Sequence, residues 1–143
     1  MTKQEIIDFA NDNPVMQLAT VDADGNPRSR RIFMYSADES GIVFHVGSFK
    51  PVSRELDGHP VVEVNFFDPK EGIQIRVQGK VSEVAEQAFK EKVASTPGRE
   101  FLKPIIAKFG YDAFRVFRIR DCHATVWTMQ TNMEYPKRET CFG

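Results

Sequence analysis

Two cysteines, one tryptophan and three histidines stand among 143 residues, and each scarcity excludes a class of protein. Cys122 and Cys141 can close at most one bridge and form no Cys-x-x-Cys pair, which rules out a disulfide scaffold and a paired-cysteine metal or redox motif. Free thiols in a reducing compartment fit better. His123 follows Cys122 directly, but neighbours along a strand point to opposite faces and no second pair completes a ligand set, so no metal is expected. No apolar run reaches the roughly 18 residues needed to cross a bilayer. The opening Met-Thr-Lys-Gln-Glu-Ile-Ile-Asp-Phe lacks the basic start and apolar stretch of a secretory signal, so the cytoplasm is the expected location. Charge of one sign is also missing. The net charge of −1 argues against a broad electrostatic surface for nucleic acid.

What is present is ordinary globular composition, with 41% hydrophobic and 27% charged residues. The length suits one domain over residues 1–143, large enough to bury roughly 68–70% of its unfolded surface and so to build a core without metals or staples. Thr2 and Glu5 form a Thr-x-x-Glu capping box ahead of Ile6, Ile7 and Phe9, which predicts a helix to about Asn11. Strands are expected at 15–21, 28–35 and 42–46, the first two joined as a hairpin by the turn at 22–27 and all three following as a meander. Pro51 is placed to open a short helix over 52–56. Further strands are expected at 61–67 and 73–84, with Gly79 as a bend or bulge in the second. Helical spacing over 86–94 and 100–109 is interrupted by Ser95-Thr-Pro-Gly98, and two more strands follow at 113–119 and 124–128. Residues 130–143 are too polar to form a core element alone, and are either loose or folded against a partner.

Three segments can carry chemistry, and together they read as a phosphate site. In Arg28-Ser-Arg-Arg-Ile-Phe, Arg28 and Arg30 project to one side and Arg31 to the other, either as solvated edge residues or as anion ligands. In Gly47-Ser-Phe-Lys-Pro51, Ser48 offers a hydroxyl, Lys50 an ammonium, and Gly47 close backbone approach. Arginine can grip phosphate with two parallel bonds while lysine adds a point charge, and the N–H groups of a helix starting at Pro51 would attract the same anion. The third segment alternates strictly: Ile73, Ile75, Val77 and Val81 share one face, and Gln74, Arg76, Gln78 and Lys80 the other, which can line an interface. Trp127 serves either as a core or rim aromatic or as a wall for a planar ligand. His45, between Phe44 and Val46, is at most a contact residue.

In order and spacing, Ala19-Thr-Val-Asp-Ala-Asp-Gly-Asn-Pro27, Arg30-Arg-Ile-Phe, Gly41-Ile-Val-Phe-His-Val46, Ser48-Phe-Lys50, Gln74-Ile-Arg76 with Gly79-Lys80, and Val126-Trp127 resemble the pyridoxamine 5'-phosphate oxidase-like FMN-binding split-barrel family. The resemblance covers about the whole domain. It implies a mainly β fold, a Greek-key-like split barrel with flanking helices, and a homodimer with two FMN sites shared between subunits. By position it implies that Arg30 and Lys50, helped by Ser48, hold the FMN phosphate, that Arg31 and Ile32 pass the flavin along their strand, and that His45 and Val46 lie beside it. Gln74 and Arg76 match a Gln-x-Arg pair reaching the flavin region from the facing subunit, and Trp127 matches an aromatic near the flavin.

The departures bear on the reaction. The true oxidases follow their last tryptophan with Arg-x-His for the vitamin's phosphate, whereas Trp127 is followed by Thr-Met-Gln-Thr-Asn-Met-Glu, which argues against pyridoxamine phosphate as substrate. The oxidases also carry an Arg-Lys pair where this chain has Phe49-Lys50, and a lysine at the place of Tyr35. The resemblance then implies an FMN-dependent oxidoreductase passing electrons from a reduced nicotinamide to a small nitroaromatic or quinone-like acceptor. Other readings are a flavin module for electron transfer, sensing or storage without turnover, a vitamin B6 oxidase with an altered pocket, a deazaflavin or haem binder, and a small barrel taking single-stranded nucleic acid.

Overall fold

Thr2 and Glu5 cap one another as their spacing predicts. The Glu5 N–H donates to Thr2 Oγ1 at 3.2 Å and the Thr2 N–H to Glu5 Oε2 at 2.6 Å, starting helix α1 (Lys3–Asp12), which buries Ile6, Ile7, Phe9 and Ala10. In the computed structural model, which describes all 143 residues, this helix packs on one eight-stranded antiparallel sheet curled into a half-barrel. The strands are β1 (Val15–Val21), β2 (Pro27–Phe33), β3 (Ser36–Asp38), β4 (Gly41–Gly47), β5 (Val61–Asp68), β6 (Ile73–Glu83), β7 (Phe114–Trp127) and β8 (Thr140–Phe142). Helices α2 (Pro51–Gly58), α3 (Gln87–Ser95) and α4 (Leu102–Phe109) flank them.

The sheet runs β2-β1-β5-β6-β7-β4-β3, with β8 also on β7. The expected meander of the first three predicted strands is therefore wrong: β4 pairs with β3 and β7, at the other end of the path from β2. The physical reason is written in β4 itself. Ile42, Val43, Phe44 and Val46 are all buried, an apolar run interrupted only by half-buried His45 that needs cover on both faces, whereas β2 is polar enough to remain at an edge. Ile42, Phe44 and Val46 face the main core, while Val43 joins Val93, Leu102, Phe114 and Val116 in a second core beneath α3 and α4.

The two carboxy-terminal strands expected at 113–119 and 124–128 are one strand, β7. Its inward phase slips between Ile119 and Cys122, where Arg120 and Asp121 are both exposed and Asp121 has φ 51, and this slip hides the continuity from a period-two reading. On one edge β7 pairs with β6, and on the other with β4 up to Ile119 and then with β8 from Cys122. The tail is tied to its own chain: β8 pairs with β7 and Phe142 is buried. The three-residue β3, absent from the sequence reading, is held partly by Asn11, whose side chain both donates to Ala37 O at 2.9 Å and accepts from its N–H at 3.0 Å.

The bulge expected at Gly79 is present as a register shift between Gln78 and Lys80. A Cβ there would lie 2.5 Å from the Ile119 side chain and 2.7 Å from the Arg120 carbonyl oxygen, so only glycine lets β6 cross β7 this closely. No helix is long and apolar enough to cross a membrane.

Candidate cofactor-binding cleft

Pro51 opens α2 as expected, and Lys50 is its N-cap residue, so the helix begins at the mouth of a cleft of about 980 Å³ between β2, the end of β4, α2 and α4. Six of the residues expected at the site line it: Arg30, Arg31, Ile32, His45, Val46 and Lys50. Arg28 adds a further cation, and Phe49, Phe101, Leu102 and Ile105 add apolar surface. The cleft therefore combines cations, with Lys50 at the α2 start, and apolar surface.

Arg30 is not a loose edge residue. Its guanidinium donates to Thr20 Oγ1 at 2.6 Å, to Leu18 O at 3.2 Å and to Glu55 Oε1 at 2.7 Å, and Thr20 donates to the same carboxylate oxygen at 2.6 Å. The Glu55 side chain is only 9% exposed, and the Thr20 hydroxyl together with Arg30 holds its carboxyl below the usual carboxylate range. Arg28 is partnered by Asp22 at 3.0 Å, the residue that also accepts the Asp24 and Asn26 N–H groups to shape the β1–β2 turn. Arg31 and Lys50 form no ion pair, which leaves both free for an anion.

Ser48 is not on the cleft wall. Its hydroxyl donates to Asp112 O at 2.5 Å and its N–H to Ala113 O at 2.9 Å, fastening the turn after β4 to the segment that enters β7. His45 is half-buried between the rings of Phe101 and Phe114, with centroids 6.1 and 5.9 Å away, and its Nε2 is buried without a hydrogen-bond partner. Burial, reinforced by the charge of Arg99, pulls its pKa down to about 4.

That shift has a measurable sign. Below pH 6.5 the unfolded imidazole takes up a proton that the folded one refuses until about pH 4, so stability falls as pH drops through this window and is unaffected by this group above it. Subtracting the pH profile of thermal unfolding for His45→Gln from that of the natural chain is expected to leave a slope confined to pH 4–6.5. Parallel profiles across that interval would mean the imidazole is not held neutral.

Gln74, Arg76 and Trp127 are brought together, but elsewhere. Gln74 is the register partner of Trp127 across β6 and β7, Arg76 pairs with Glu63 at 3.1 Å, and the Trp127 Nε1–H donates to Asn132 Oδ1 at 2.8 Å. None of the three lines the cleft of their own chain. Glu55, Phe101, Ile105 and the nearby Arg99 escaped the sequence reading because they sit on helices or loops that ordinary amphipathic patterning places only against a core.

Residues 2–120 match the family described as pyridoxamine 5'-phosphate oxidase. The chain belongs to the pyridoxamine 5'-phosphate oxidase family. It is similar to the pyridoxine/pyridoxamine 5'-phosphate oxidase of Neisseria meningitidis, with 33% identity over 87 residues that make up 61% of this chain and 41% of the oxidase. The chain thus spans about two fifths of the length of that curated relative. A NimC/NimA family protein from Clostridium acetobutylicum shares its fold with a TM-score of 0.71 at 18% identity, over 97% of this chain and 92% of that one. A pyridoxamine 5'-phosphate oxidase-related, FMN binding protein from Nostoc punctiforme gives 0.64 at 14% identity, over 96% and 88%. The curled sheet with flanking helices is the split barrel of the pyridoxamine 5'-phosphate oxidase family. Trp127 and the tail after it lie outside the matched residues of the family.

Proposed function

We propose that this pyridoxamine 5'-phosphate oxidase family member binds FMN in the cleft and, as a homodimer, passes electrons from a reduced nicotinamide to a planar nitroaromatic or quinone-like acceptor. The observation that carries this reading is the union in one cleft of unpaired cations, Arg31 and Lys50, with an apolar length formed by Ile32, Val46, Phe101 and Ile105. Family membership and the likeness to the Nostoc FMN binding protein support the choice of flavin.

The residues fit the group. Lys50, at the first turn of α2, and Arg31 supply charge for a phosphate, and Arg30, braced by Glu55 and Thr20, retains N–H groups beyond those already engaged. The unpartnered His45 Nε2, neutral at physiological pH, is the polar atom available to the edge of a ring system. Bound FMN supplies the acceptance of hydride and the onward delivery of electrons. The chain's own work is to bind, orient and exclude water, and no side chain is assigned as acid, base or nucleophile. Beside the cleft, a lobe of about 340 Å³ is lined by Phe33, Arg99 and Phe101, with the Arg99 guanidinium 4.7 Å from the Phe33 ring centroid. The Phe33 and Phe101 rings offer faces to a flat acceptor, and the Arg99 charge suits its nitro or quinone oxygens.

A second copy supplies what the single cleft lacks. Gln74, Arg76 and Trp127 share the outer surface of the sheet with exposed Val61 and Phe67 and with Asn65, whose buried Oδ1 has no partner. Pairing two such surfaces would cover the apolar residues and carry the Gln74–Arg76–Trp127 group toward the partner's flavin. Phe67→Asp is expected to convert a dimer into a monomer in sedimentation velocity and to weaken FMN binding with it. A monomeric natural chain that binds FMN fully would end the shared-site reading.

The activity is tested with FMN-loaded protein, NADH or NADPH, and nitroaromatic and quinone acceptors. Nicotinamide oxidation should require both FMN and an acceptor. Bound FMN without turnover would leave a flavin-binding module, and failure to bind FMN at all would remove the proposal.

A further inference from the structure

We propose that His123, Glu139 and Cys141 form a zinc site on the exposed surface of the β7–β8 pair. None of the three lines the cleft, so the site is independent of the flavin reading. The antiparallel register sets His123 directly opposite Cys141, and Glu139, immediately before β8, reaches the same imidazole. His123 Nδ1 is 3.1 Å from Glu139 Oε2 and 3.5 Å from Cys141 Sγ, and the three ligand atoms lie within 4.8 Å of one another.

Those separations are close to what the metal requires. Zinc bonds of about 2.0–2.2 Å to nitrogen and oxygen and about 2.3 Å to sulfur, at tetrahedral angles, put neighbouring ligand atoms about 3.3–3.6 Å apart. The two separations from His123 fall near that range, and the Glu139 and Cys141 ligand atoms, within 4.8 Å of each other, need to close by at most about 1.5 Å. The donor set selects the metal as well: a thiolate and an imidazole suit zinc and disfavour magnesium and calcium, which take oxygen ligands. Three protein ligands leave a fourth position for water. Binding replaces the thiol proton of Cys141 by zinc and releases that proton, so affinity falls as pH is lowered.

The site escapes the sequence because its obvious pair is the wrong one. Cys122, beside His123, points inward, is fully buried and has its thiol pushed up to about 12 by burial, whereas Cys141 reaches His123 only because the tail returns as β8. Zinc here would tie β7, through His123, to Glu139 and to Cys141 of β8, adding to the pairing that holds the tail to the sheet.

The test is titration of the full chain, first dialysed against EDTA, with zinc chloride by calorimetry, alongside native mass spectrometry. One zinc per chain is expected, with affinity lowered by about tenfold or more in each of Cys141→Ser and His123→Ala and unchanged in Cys122→Ala. Cobalt chloride should give a sulfur-to-metal charge-transfer band that vanishes in Cys141→Ser. All variants are checked by circular dichroism, and FMN binding should not change in the two exposed-site variants. Absence of zinc binding by folded natural protein, or zinc affinity indifferent to Cys141→Ser, would overturn the site.

Discussion

Gly41→Ala is expected to be strongly destabilising. Gly41 sits where β3 turns into β4, with φ +126, a backbone conformation that only glycine adopts readily, and a Cβ there would overlap the Ile119 carbonyl oxygen of β7. The conformational strain is worth about 1–3 kcal/mol and the forced repacking about as much again, so a loss of about 2–6 kcal/mol is expected. Set against a total of about 5–15 kcal/mol for a typical domain, that is a large fraction of the whole. The clash cannot be relieved locally, because moving β4 away from β7 separates Ile42 and Phe44 from Ile119 and Phe117 at the centre of the sheet. Gly25→Ala is the control. Gly25 also has positive φ, 81, but open space around it, so only the strain should appear, at about 1 kcal/mol. Urea unfolding of both variants decides the matter, and equal, small losses would show that the Ile119 contact is not limiting.

The elements legible in the sequence are those whose signal is local. The capping box of α1, the proline that starts α2, the alternation of β6 and its glycine bulge each depend on residues within a few positions of one another, and each is found where expected. The error in strand order involves distant partners. β4 reads as the third strand of a meander until its second apolar face is given a cover, and that cover, α3 and α4, together with its edge partner β7, comes from far along the chain. β3 and β8 have three residues each, too short for periodicity to register, and one of them is supported by a side chain, Asn11, in the role of a neighbouring strand.

The candidate site divides in the same way. Arg30, Arg31, Ile32, His45, Val46 and Lys50 come from two nearby segments and meet in one cleft, while Ser48, only two residues from Lys50, is turned to the Asp112 carbonyl and serves the fold. Glu55 could not be anticipated as a neighbour of Arg30, since one lies on a helix and the other on a strand, and the two meet, with Thr20 bonded to both, only in the folded chain. That contact alters what a charge-removing substitution at Arg30 measures.

Arg30→Ala with Lys50→Ala is expected to weaken FMN binding by about a hundredfold or more, because each charge-assisted phosphate contact contributes about 1.5–3 kcal/mol and two are removed. The two residues should nevertheless behave differently when changed singly. Lys50 is exposed and unpaired, so Lys50→Ala should lower affinity with little effect on unfolding. Arg30→Ala leaves the enclosed Glu55 carboxylate without its cation, which costs fold stability and also aims an unpaired negative charge at the incoming phosphate. Adding Glu55→Gln to Arg30→Ala removes that charge while keeping an acceptor for Thr20. The combined variant should recover much of the lost stability and part, not all, of the lost affinity, because the direct arginine contact remains absent. Equilibrium titration with FMN, followed by flavin fluorescence, and urea unfolding of the same four variants separate these effects. Full recovery of affinity by Glu55→Gln would mean that Arg30 acts only by neutralising Glu55, and unchanged affinity in the Arg30–Lys50 double variant would place the phosphate elsewhere.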